Sequence, residues 1–280
     1  MNVCFIYDPW DNEKTLGIYK KMTPGRSGVW KDLVAVTDEK EADWCVVVDD
    51  TKREMNPDRT LYVGAHPYMP GYEGYRDLSR HKHKLDLKDT FGFGEWWLDY
   101  DYDYLSALEP MEKTKDCCYI VSNSTGGYGR EERKQLARQM NGQIDVFGRI
   151  SGVGGGHLGV TDNDGGNHTW GKEDVLSRYR YSVEVDVGAT RNYFSERVFD
   201  SLLMWCMPLY WGSTNLEEYL PKESFSYIDI RGNGKDILEI CKSGVRERNI
   251  EAIREARRRL LNEYHIFARA HAYLSNHPIH

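Results

Sequence analysis

The chain has 280 residues, of which 40% are apolar and 12% aromatic, enough to form a sizeable core in one large or two medium domains. Its formal net charge of −7 argues against a general nucleic-acid binder. No run of eighteen apolar residues and no basic-then-apolar leader is found in the sequence. We therefore expect neither a transmembrane helix nor a signal peptide, and a cytoplasmic location. Six cysteines without a C-x-x-C pair indicate reduced thiols rather than disulfides or a metal site.

The first hundred residues alternate short apolar runs with polar segments, which is typical of an α/β domain. The runs that predict strands are 2–7, 44–48 and 61–64, and 30–36 is a further short apolar stretch. Residues 67–103 lose this pattern and are rich in Tyr, Trp and Phe, which favours aromatic packing under long loops. Within that segment, Asp99, Asp101 and Asp103 alternate with aromatic residues, and we interpret them as structural. A polar stretch at 105–115, which contains Pro110, is the predicted linker.

The second half repeats the strand–helix alternation. Its predicted strands are 117–123, 144–149, 181–187, 207–211 and 224–229, and its predicted helices are 131–140, 172–180, a helix that starts at Ser195, 236–241 and 248–273. The glycine-rich stretch 151–170 lacks the G-K-[ST] ending of a phosphate-binding P-loop, which favours a surface loop.

The long carboxyl-terminal helix carries four arginines on one flank, at positions 254, 257, 258 and 259. The favoured interpretation is a helix that packs back on the first domain with its arginines facing water. Attachment to an acidic membrane surface is the less favoured alternative, because the helix lacks the Trp and Leu richness of an interfacial anchor. Nucleic-acid binding by these arginines is disfavoured by the negative net charge.

The most informative stretch is the strand–helix–strand pattern between residues 181 and 211, which predicts a βαβ unit with a right-handed crossover. Its helix begins just beyond the carboxyl end of a strand, where open α/β sheets bind ligands. Ser195 is a good N-cap, and the free N–H groups of a helix start attract anions. Arg197 adds a planar donor fork suited to a diphosphate, and Glu196 offers an acceptor for sugar or ribose hydroxyls.

The same stretch resembles a known family. The sequence Tyr-Phe-Ser-Glu-Arg-Val-Phe-Asp at 193–200 is followed by Pro-Leu-Tyr-Trp-Gly at 208–212 and Asn-Leu-Glu-Glu-Tyr-Leu-Pro at 215–221. This order is similar to that of glycosyltransferase family 10, the α-1,3/1,4-fucosyltransferases. The resemblance is specific over residues 117–229 and faint before them. It implies a GT-B fold, in which two Rossmann-like α/β domains face each other across a cleft. The expected division is 1–110 for the acceptor domain, 111–262 for the nucleotide-sugar domain and 263–280 for the returning helix.

The resemblance also implies roles for individual residues in donor binding. The expected donor-binding residues are Arg130, Asp186, Tyr193, Ser195, Glu196 and Arg197. Arg133 is the alternative to Arg130, because the preceding loop differs in length from that of the family. Arg197 replaces the family's lysine and conserves its charge. Val187 stands where the family has a donor-contacting asparagine, which leaves the identity of the donor open.

A second departure concerns the catalytic base. The family has a glutamate in a Glu-Ser-Pro stretch, where this chain reads Ala-His-Pro at 65–67. His66 is one candidate base, because its ordinary pKa lies near neutrality, and Glu95 and Asp8 are the others. The alternative to a catalytic role is that His66 only ends a strand, or that the family's glutamate aligns with another position.

Taken together, the resemblance implies an inverting, metal-independent transfer of a sugar to a carbohydrate acceptor. The implied donor is a nucleotide sugar, foremost GDP-fucose, bound as a substrate with no cofactor. A different nucleotide sugar, or a binding protein without catalysis, remains the alternative.

Overall fold

The computed structural model describes residues 1–67, 69, 76–122, 129–148 and 171–277. Its first sheet has six strands in the order β2-β3-β1-β4-β5-β6. Their bounds are β1 Asn2–Ile6, β2 Val29–Trp30, β3 Leu33–Val36, β4 Trp44–Val48, β5 Thr60–Val63 and β6 His83–Leu85. All neighbours are parallel except the β2–β3 pair. The chain runs from β1 to one side and then, from β4 onward, to the other. This places a topological switch point between β1 and β4.

The second sheet has five parallel strands in the order β11-β10-β9-β7-β8. Their bounds are β7 Lys115–Ile120, β8 Asp145–Phe147, β9 Tyr179–Val185, β10 Met207–Trp211 and β11 Ser226–Tyr227. The chain leaves β7 in one direction and leaves β9 in the other, so the switch point lies between these two strands. Two α/β sheets of this kind, parallel apart from the short β2 edge, confirm the predicted fold class, a GT-B-type pair of Rossmann-like domains.

Nine α-helices connect and cover the sheets in the described part of the chain. Their bounds are α1 Asn12–Tyr19, α2 Tyr102–Ala107, α3 Arg130–Met140, α4 Lys172–Leu176, α5 Glu196–Leu203, α6 Lys235–Ser243, α7 Val245–Arg248, α8 Ile250–Arg259 and α9 Ile266–Leu274. The predicted loop 151–170 lies outside the described residues. Within those residues, none of the helices is both long and apolar enough to cross a bilayer.

The prediction of one continuous helix over 248–273 is wrong. A π-helical turn, Leu260–Tyr264, follows α8, and His265 then takes up an extended backbone with φ −73° and ψ 161° before α9 begins. The cause is tertiary: Gly94 donates to Tyr264 O at 2.7 Å and accepts from the Ile266 amide at 3.1 Å. A local helical pattern cannot reveal this competing partner. Beyond the break, α9 packs on the first sheet, with the ring of Phe267 4.7 Å from that of Phe5.

The expectation that all four arginines of this helix face water is also wrong for one of them. Arg257 is 4% exposed and donates to backbone carbonyls of the α5 end and of residues 105–108. The buried guanidinium therefore joins the ends of α2 and α5, because it donates to carbonyls that have no partner within those helices. Arg254, Arg258 and Arg259 form ion pairs with glutamates at distances of 2.7–3.3 Å.

The predicted linker begins later than expected, because α2 extends over residues 102–107. Asp101 caps this helix by accepting from Tyr104 N and also receives Arg26 Nε at 2.9 Å. Asp103 accepts from the Gly25 amide. These contacts agree with the interpretation of the alternating aspartates as structural. Phe91 and Trp96 of the aromatic segment are buried, whereas Trp97 is 46% exposed.

Candidate active site

The predicted βαβ unit forms at the switch point of the second sheet. β9 ends at Val185, β10 runs from Met207 to Trp211 and pairs with β9 in parallel, and α5 connects them. Ser195 caps α5, since its Oγ accepts from the Arg197 amide at 3.4 Å. The start of α5 therefore points its N–H groups towards the crevice between β7 and β9.

Asp186 holds this helix start in place. Its Oδ1 accepts from Ser195 Oγ at 2.5 Å and its Oδ2 accepts from Tyr210 Oη at 2.6 Å. The side chain is 1% exposed, and burial raises its pKa to about 6, against the lowering effect of the two hydroxyl donors. Both oxygens are thus engaged inside the fold. This geometry fits a residue that shapes the donor site more than one that contacts a ligand.

Three arginines meet at the crevice. Arg197, in the first turn of α5, donates to the carbonyl of Ile120 at the end of β7 at 3.1 Å. Arg133, in α3, is 3% exposed, and its Nη1 lies 3.5 Å from the carbonyl of Val185 at the end of β9. Its pKa is lowered to about 10 by burial first and then by the charges of Arg197 and Arg130. Like charges this close favour an anion between them.

An interior carboxyl, Glu184, lies beside this cluster. Glu184 Oε2 lies 3.9 Å from Arg197 Nη1, and its Oε1 receives the hydroxyls of Ser182 and Ser201 at 2.5 Å. Burial raises the pKa of Glu184 to about 7, against the lowering effect of Arg197. Near neutrality the carboxyl is thus partly protonated, so Glu184 offsets the charge of Arg197 only in part.

Two further predicted donor residues flank the same helix start. Tyr193 is half-buried and follows Asn192, which has a φ of 61° and donates through its side chain to the carbonyl of Leu87 at 3.2 Å. Glu196 is half-buried in the first turn of α5. The structure therefore brings Arg130, Tyr193, Glu196 and Arg197 to one region, with the fallback Arg133 among them.

The first sheet places its own candidate residues at the carboxyl ends of β4 and β5. Asp49 follows β4, has a φ of 60°, and accepts from the Ala65 amide at 2.6 Å. Its other oxygen lies 2.5 Å from Nδ1 of His66, which follows β5. This hydrogen bond raises the pKa of His66, with burial opposing it. His66 is thus a protonated partner of Asp49 over a wider pH range than a free histidine.

Glu95 is the second of the predicted base candidates. It is half-buried, and desolvation raises its pKa to about 7. A hydrogen bond from Trp97 Nε1 to Glu95 Oε1, 3.1 Å long, lowers that pKa, and the charge of Glu196 raises it again. Glu196 belongs to α5, and the amide of Trp97 bonds Asp200 of the same helix, so Glu95 lies near α5. Asp8, the third candidate, instead receives Thr51 Oγ1 at 2.7 Å and the Lys52 amide at 3.2 Å.

Direct contacts join the two halves around this region. Gly188, just beyond β9, packs so closely on Met69 that a Cβ would collide with its sulfur. Gly94 packs in the same way on the ring of Phe199 in α5. The two halves are therefore in direct contact just beyond the carboxyl end of β9 and along α5.

The sequence interpretation missed a buried ion pair at this junction. Lys172 Nζ lies 2.7 Å from Asp200 Oδ2, with only 13% and 2% of the two side chains exposed. Asp200 also accepts from the backbone amide of Trp97 at 2.8 Å. Asp200 ends the motif at 193–200, but the sequence gives it no partner, because Lys172 and Trp97 lie far from it along the chain.

Comparison with known proteins finds a family match in the second half of the chain. Residues 110–238 match the family model of glycosyltransferase family 10 (fucosyltransferase), carboxyl-terminal region. The family resemblance inferred from the sequence is thereby confirmed. The matched segment contains β7, α3, β9, α5 and β10, and so includes the arginine cluster.

Two relatives agree with this assignment. A putative fucosyltransferase-like protein of Arabidopsis thaliana is 25% identical over 138 residues, which are 49% of this chain and 24% of the relative. The alpha-(1,3)-fucosyltransferase FucT of Helicobacter pylori is 24% identical over 136 residues, which are 47% of this chain and 28% of the relative. The matched part thus spans about a quarter of each relative's length. A crystal structure of an alpha1,3-fucosyltransferase aligns with 91% of this chain and 82% of its own, at 12% identity and a TM-score of 0.44.

Proposed function

We propose that this protein is an inverting glycosyltransferase that moves a sugar from a nucleotide diphosphate to a hydroxyl of a carbohydrate acceptor. The observation that carries the proposal is the arginine cluster at the β7–β9 switch point, together with Glu95 of the other half, whose pKa of about 7 is raised by desolvation and by the charge of Glu196 on α5. The cluster suits a diphosphate leaving group, and the carboxyl suits a general base. The two occur on opposite halves of the molecule, as a donor and an acceptor site would require.

The donor half stabilises the departing diphosphate. Arg197 and Arg133, with Arg130 beside them, supply fixed positive charge, and the capped start of α5 supplies backbone N–H groups. Such preorganised donors stabilise charge that develops as the bond to the anomeric carbon breaks. We propose that arginines and a helix start take the place that a metal ion has in other transferases.

The acceptor half removes a proton. As the acceptor oxygen bonds to the anomeric carbon and the bond to the diphosphate breaks, the hydroxyl proton moves to the Glu95 carboxylate. A base is most effective when its pKa is near the working pH, which Glu95 satisfies with a value of about 7. His66 fits the task less well, because its bond to Asp49 favours the protonated form. We therefore assign the base to Glu95 and a supporting charge to His66.

The proposed donor is GDP-fucose. It is supported by the family match and by the names of the relatives, one of which is an alpha-(1,3)-fucosyltransferase. One observation favours a second candidate: Val187 is half-buried just after β9, at the position of the asparagine that the family motif carries. An apolar side chain there removes hydrogen bonds used to distinguish sugars or bases, so a different nucleotide sugar is the alternative.

A panel of nucleotide sugars tests the proposal. The purified protein is incubated with GDP-fucose, GDP-mannose, UDP-glucose and dTDP-glucose, with and without EDTA, and the release of nucleoside diphosphate is followed. We expect GDP release from GDP-fucose that survives EDTA, falls at least about 100-fold in Glu95→Gln, and persists in His66→Ala. Binding of a donor in calorimetry without turnover, unchanged in Glu95→Gln, would identify a binding protein instead.

A further inference from the structure

We infer that Trp97 is a positioning residue for the base, and that the buried Lys172–Asp200 pair of the donor half holds Trp97 in place. This inference rests on the proposed function, since it deepens the assignment of Glu95. The three residues form a continuous path from α5, the helix that carries Arg197, to the carboxyl group that takes the acceptor proton.

The first contact in this path fixes the orientation of Glu95. Trp97 Nε1 donates to Glu95 Oε1 at 3.1 Å, although the indole is 46% exposed. A half-exposed tryptophan gains little from burying its ring. Its polar edge, aimed at the carboxyl, is a directional contact that orients both side chains. One Glu95 oxygen is occupied in this way, which leaves the other oxygen to receive a proton.

The next contacts fix Trp97. Its backbone amide donates to Asp200 Oδ1 at 2.8 Å, and its ring lies under the ammonium group of Lys172, 5.3 Å from the ring centre. Asp200 and Lys172 are in turn paired at 2.7 Å with little exposure to water. The backbone and the ring of Trp97 are thus held by two different residues of the donor half, so its position follows any movement of α5 and α4.

Asp200 lies one turn after Glu196 on α5, whose first turn also contains Arg197. The same short helix therefore binds the diphosphate at its start through Arg197. In its middle, Asp200 holds Trp97, which in turn orients Glu95. Such an arrangement ties the placement of the base to the occupancy of the donor site. A base misplaced by about 1 Å can lose about 100-fold in rate, so this support affects turnover.

The test compares Trp97→Phe with wild-type protein in a pH profile of kcat and of KM for the donor. The phenylalanine keeps the ring but loses the N–H. We expect kcat to fall about 10-fold or more, the acid limb of the profile to move to higher pH, and donor KM to change less than about 2-fold. Tyr104→Phe, which alters another exposed ring 45% accessible to water, serves as the matched control and leaves the profile unchanged. An unmoved acid limb in Trp97→Phe overturns the inference.

The second arm tests the ion pair. Lys172→Met combined with Asp200→Asn removes both buried charges together, which avoids an unpaired charge in the interior. The asparagine keeps an oxygen for the Trp97 amide, so we expect folded protein with a reduced kcat and the same donor KM. A double variant with wild-type kcat contradicts the role assigned to the pair.

A measurement that needs no turnover distinguishes failure of the proposed function from failure of the inference about Trp97. The pKa of Glu95 is followed by carbon NMR of its carboxyl group, assigned by its loss in Glu95→Gln. We expect a higher Glu95 pKa in Trp97→Phe than in wild type, because the donated hydrogen bond stabilises the carboxylate. Absence of turnover with this pKa change refutes the transferase alone. An unchanged pKa refutes the support by Trp97, whatever the activity.

Discussion

Arg197→Met is the sharpest single perturbation of the donor site. The substitution keeps the bulk of the side chain on α5 and removes the guanidinium that lies 3.1 Å from the Ile120 carbonyl and 3.9 Å from Glu184. If this group binds the diphosphate, its loss removes at least one hydrogen bond between charged partners. Bonds of that kind contribute about 1.5–3 kcal/mol, which corresponds to roughly a 10- to 150-fold weaker binding of GDP.

The effect on folding should be smaller than the effect on binding. The variant loses the bond to Ile120, which is worth about 1 kcal/mol net, and a domain of this size then melts a few degrees lower. Glu184 is not left as a buried bare charge, because burial already raises its pKa to about 7 and it takes up a proton instead. The variant should therefore fold and remain measurable.

Isothermal calorimetry with GDP measures the change, and two variants bracket it. Arg197→Lys restores the charge without the planar fork and should recover part of the affinity. Arg191→Ala is the matched control, since Arg191 lies on the same loop before α5 but is exposed and pairs with Glu218 at 2.9 Å. Equal GDP affinity in wild type and Arg197→Met, or an equal loss in Arg191→Ala, would refute the assignment of the diphosphate to this cluster.

Two further predictions concern stability. Asp186→Asn leaves one of the Ser195 and Tyr210 hydroxyls without an acceptor, so chemical denaturation should show a loss of about 1–3 kcal/mol. Because the folded pKa of Asp186 is raised to about 6, the wild type loses stability as pH rises through 6, and the loss in the variant should be larger at pH 5 than at pH 8. His265 is fully buried and its pKa is depressed to about 3, so its contribution is present above pH 6.5 and lost as pH falls towards 3. His265→Phe should therefore flatten the slope of unfolding free energy against pH between 6 and 4, and an unchanged slope would contradict this.

The part of the fold that could be predicted is the part that local sequence determines. The β9–α5–β10 unit was located to within two residues, because strand alternation, an N-cap serine and helical spacing are all short-range signals. Pro208 is the second residue of β10, near the strand start, where the backbone N–H that proline lacks is not needed for sheet pairing. The same short-range signals correctly placed Ser195, Glu196 and Arg197 at the start of α5.

The features that were missed depend on partners far away in sequence. His265 breaks a helix because Gly94, 171 positions earlier, offers backbone bonds on either side of it. Arg257 is buried because helix ends from two other segments need donors. The Lys172–Asp200 pair depends on the amide of Trp97 in the other half of the molecule. No periodicity within one segment carries this information.

The choice among the base candidates shows the same limit. From sequence, the position after β5 pointed to His66, with Glu95 only an alternative in an irregular aromatic segment. The structure separates them by their surroundings. Asp49 favours the protonated form of His66, whereas desolvation and Glu196 bring the pKa of Glu95 to about 7. Asp49 and Glu196 lie far in sequence from the histidine and the glutamate whose pKa values they change, so the sequence around each candidate does not reveal the effect.

Glu184 should make donor binding depend on pH. Its carboxyl is neutral below its pKa of about 7 and ionised above it, when it becomes a countercharge for Arg197. A diphosphate competes for the same guanidinium, and its negative charge favours the protonated carboxyl. Binding of GDP should therefore be accompanied by proton uptake near pH 7, and the affinity should fall as pH rises from 6 to 8.5.

Glu184→Gln separates this effect from the titration of the phosphate itself. The amide keeps an oxygen for the hydroxyls of Ser182 and Ser201 and cannot ionise, so the variant resembles the neutral form of the site. We expect calorimetry in buffers of different ionisation enthalpy to show less proton uptake, and the fall in GDP affinity with pH to flatten. Since the proposed base Glu95 loses its proton over the same pH range, wild type should show kcat rising while donor binding weakens. Identical proton uptake in wild type and Glu184→Gln would contradict a shared role of Glu184 and the diphosphate at Arg197.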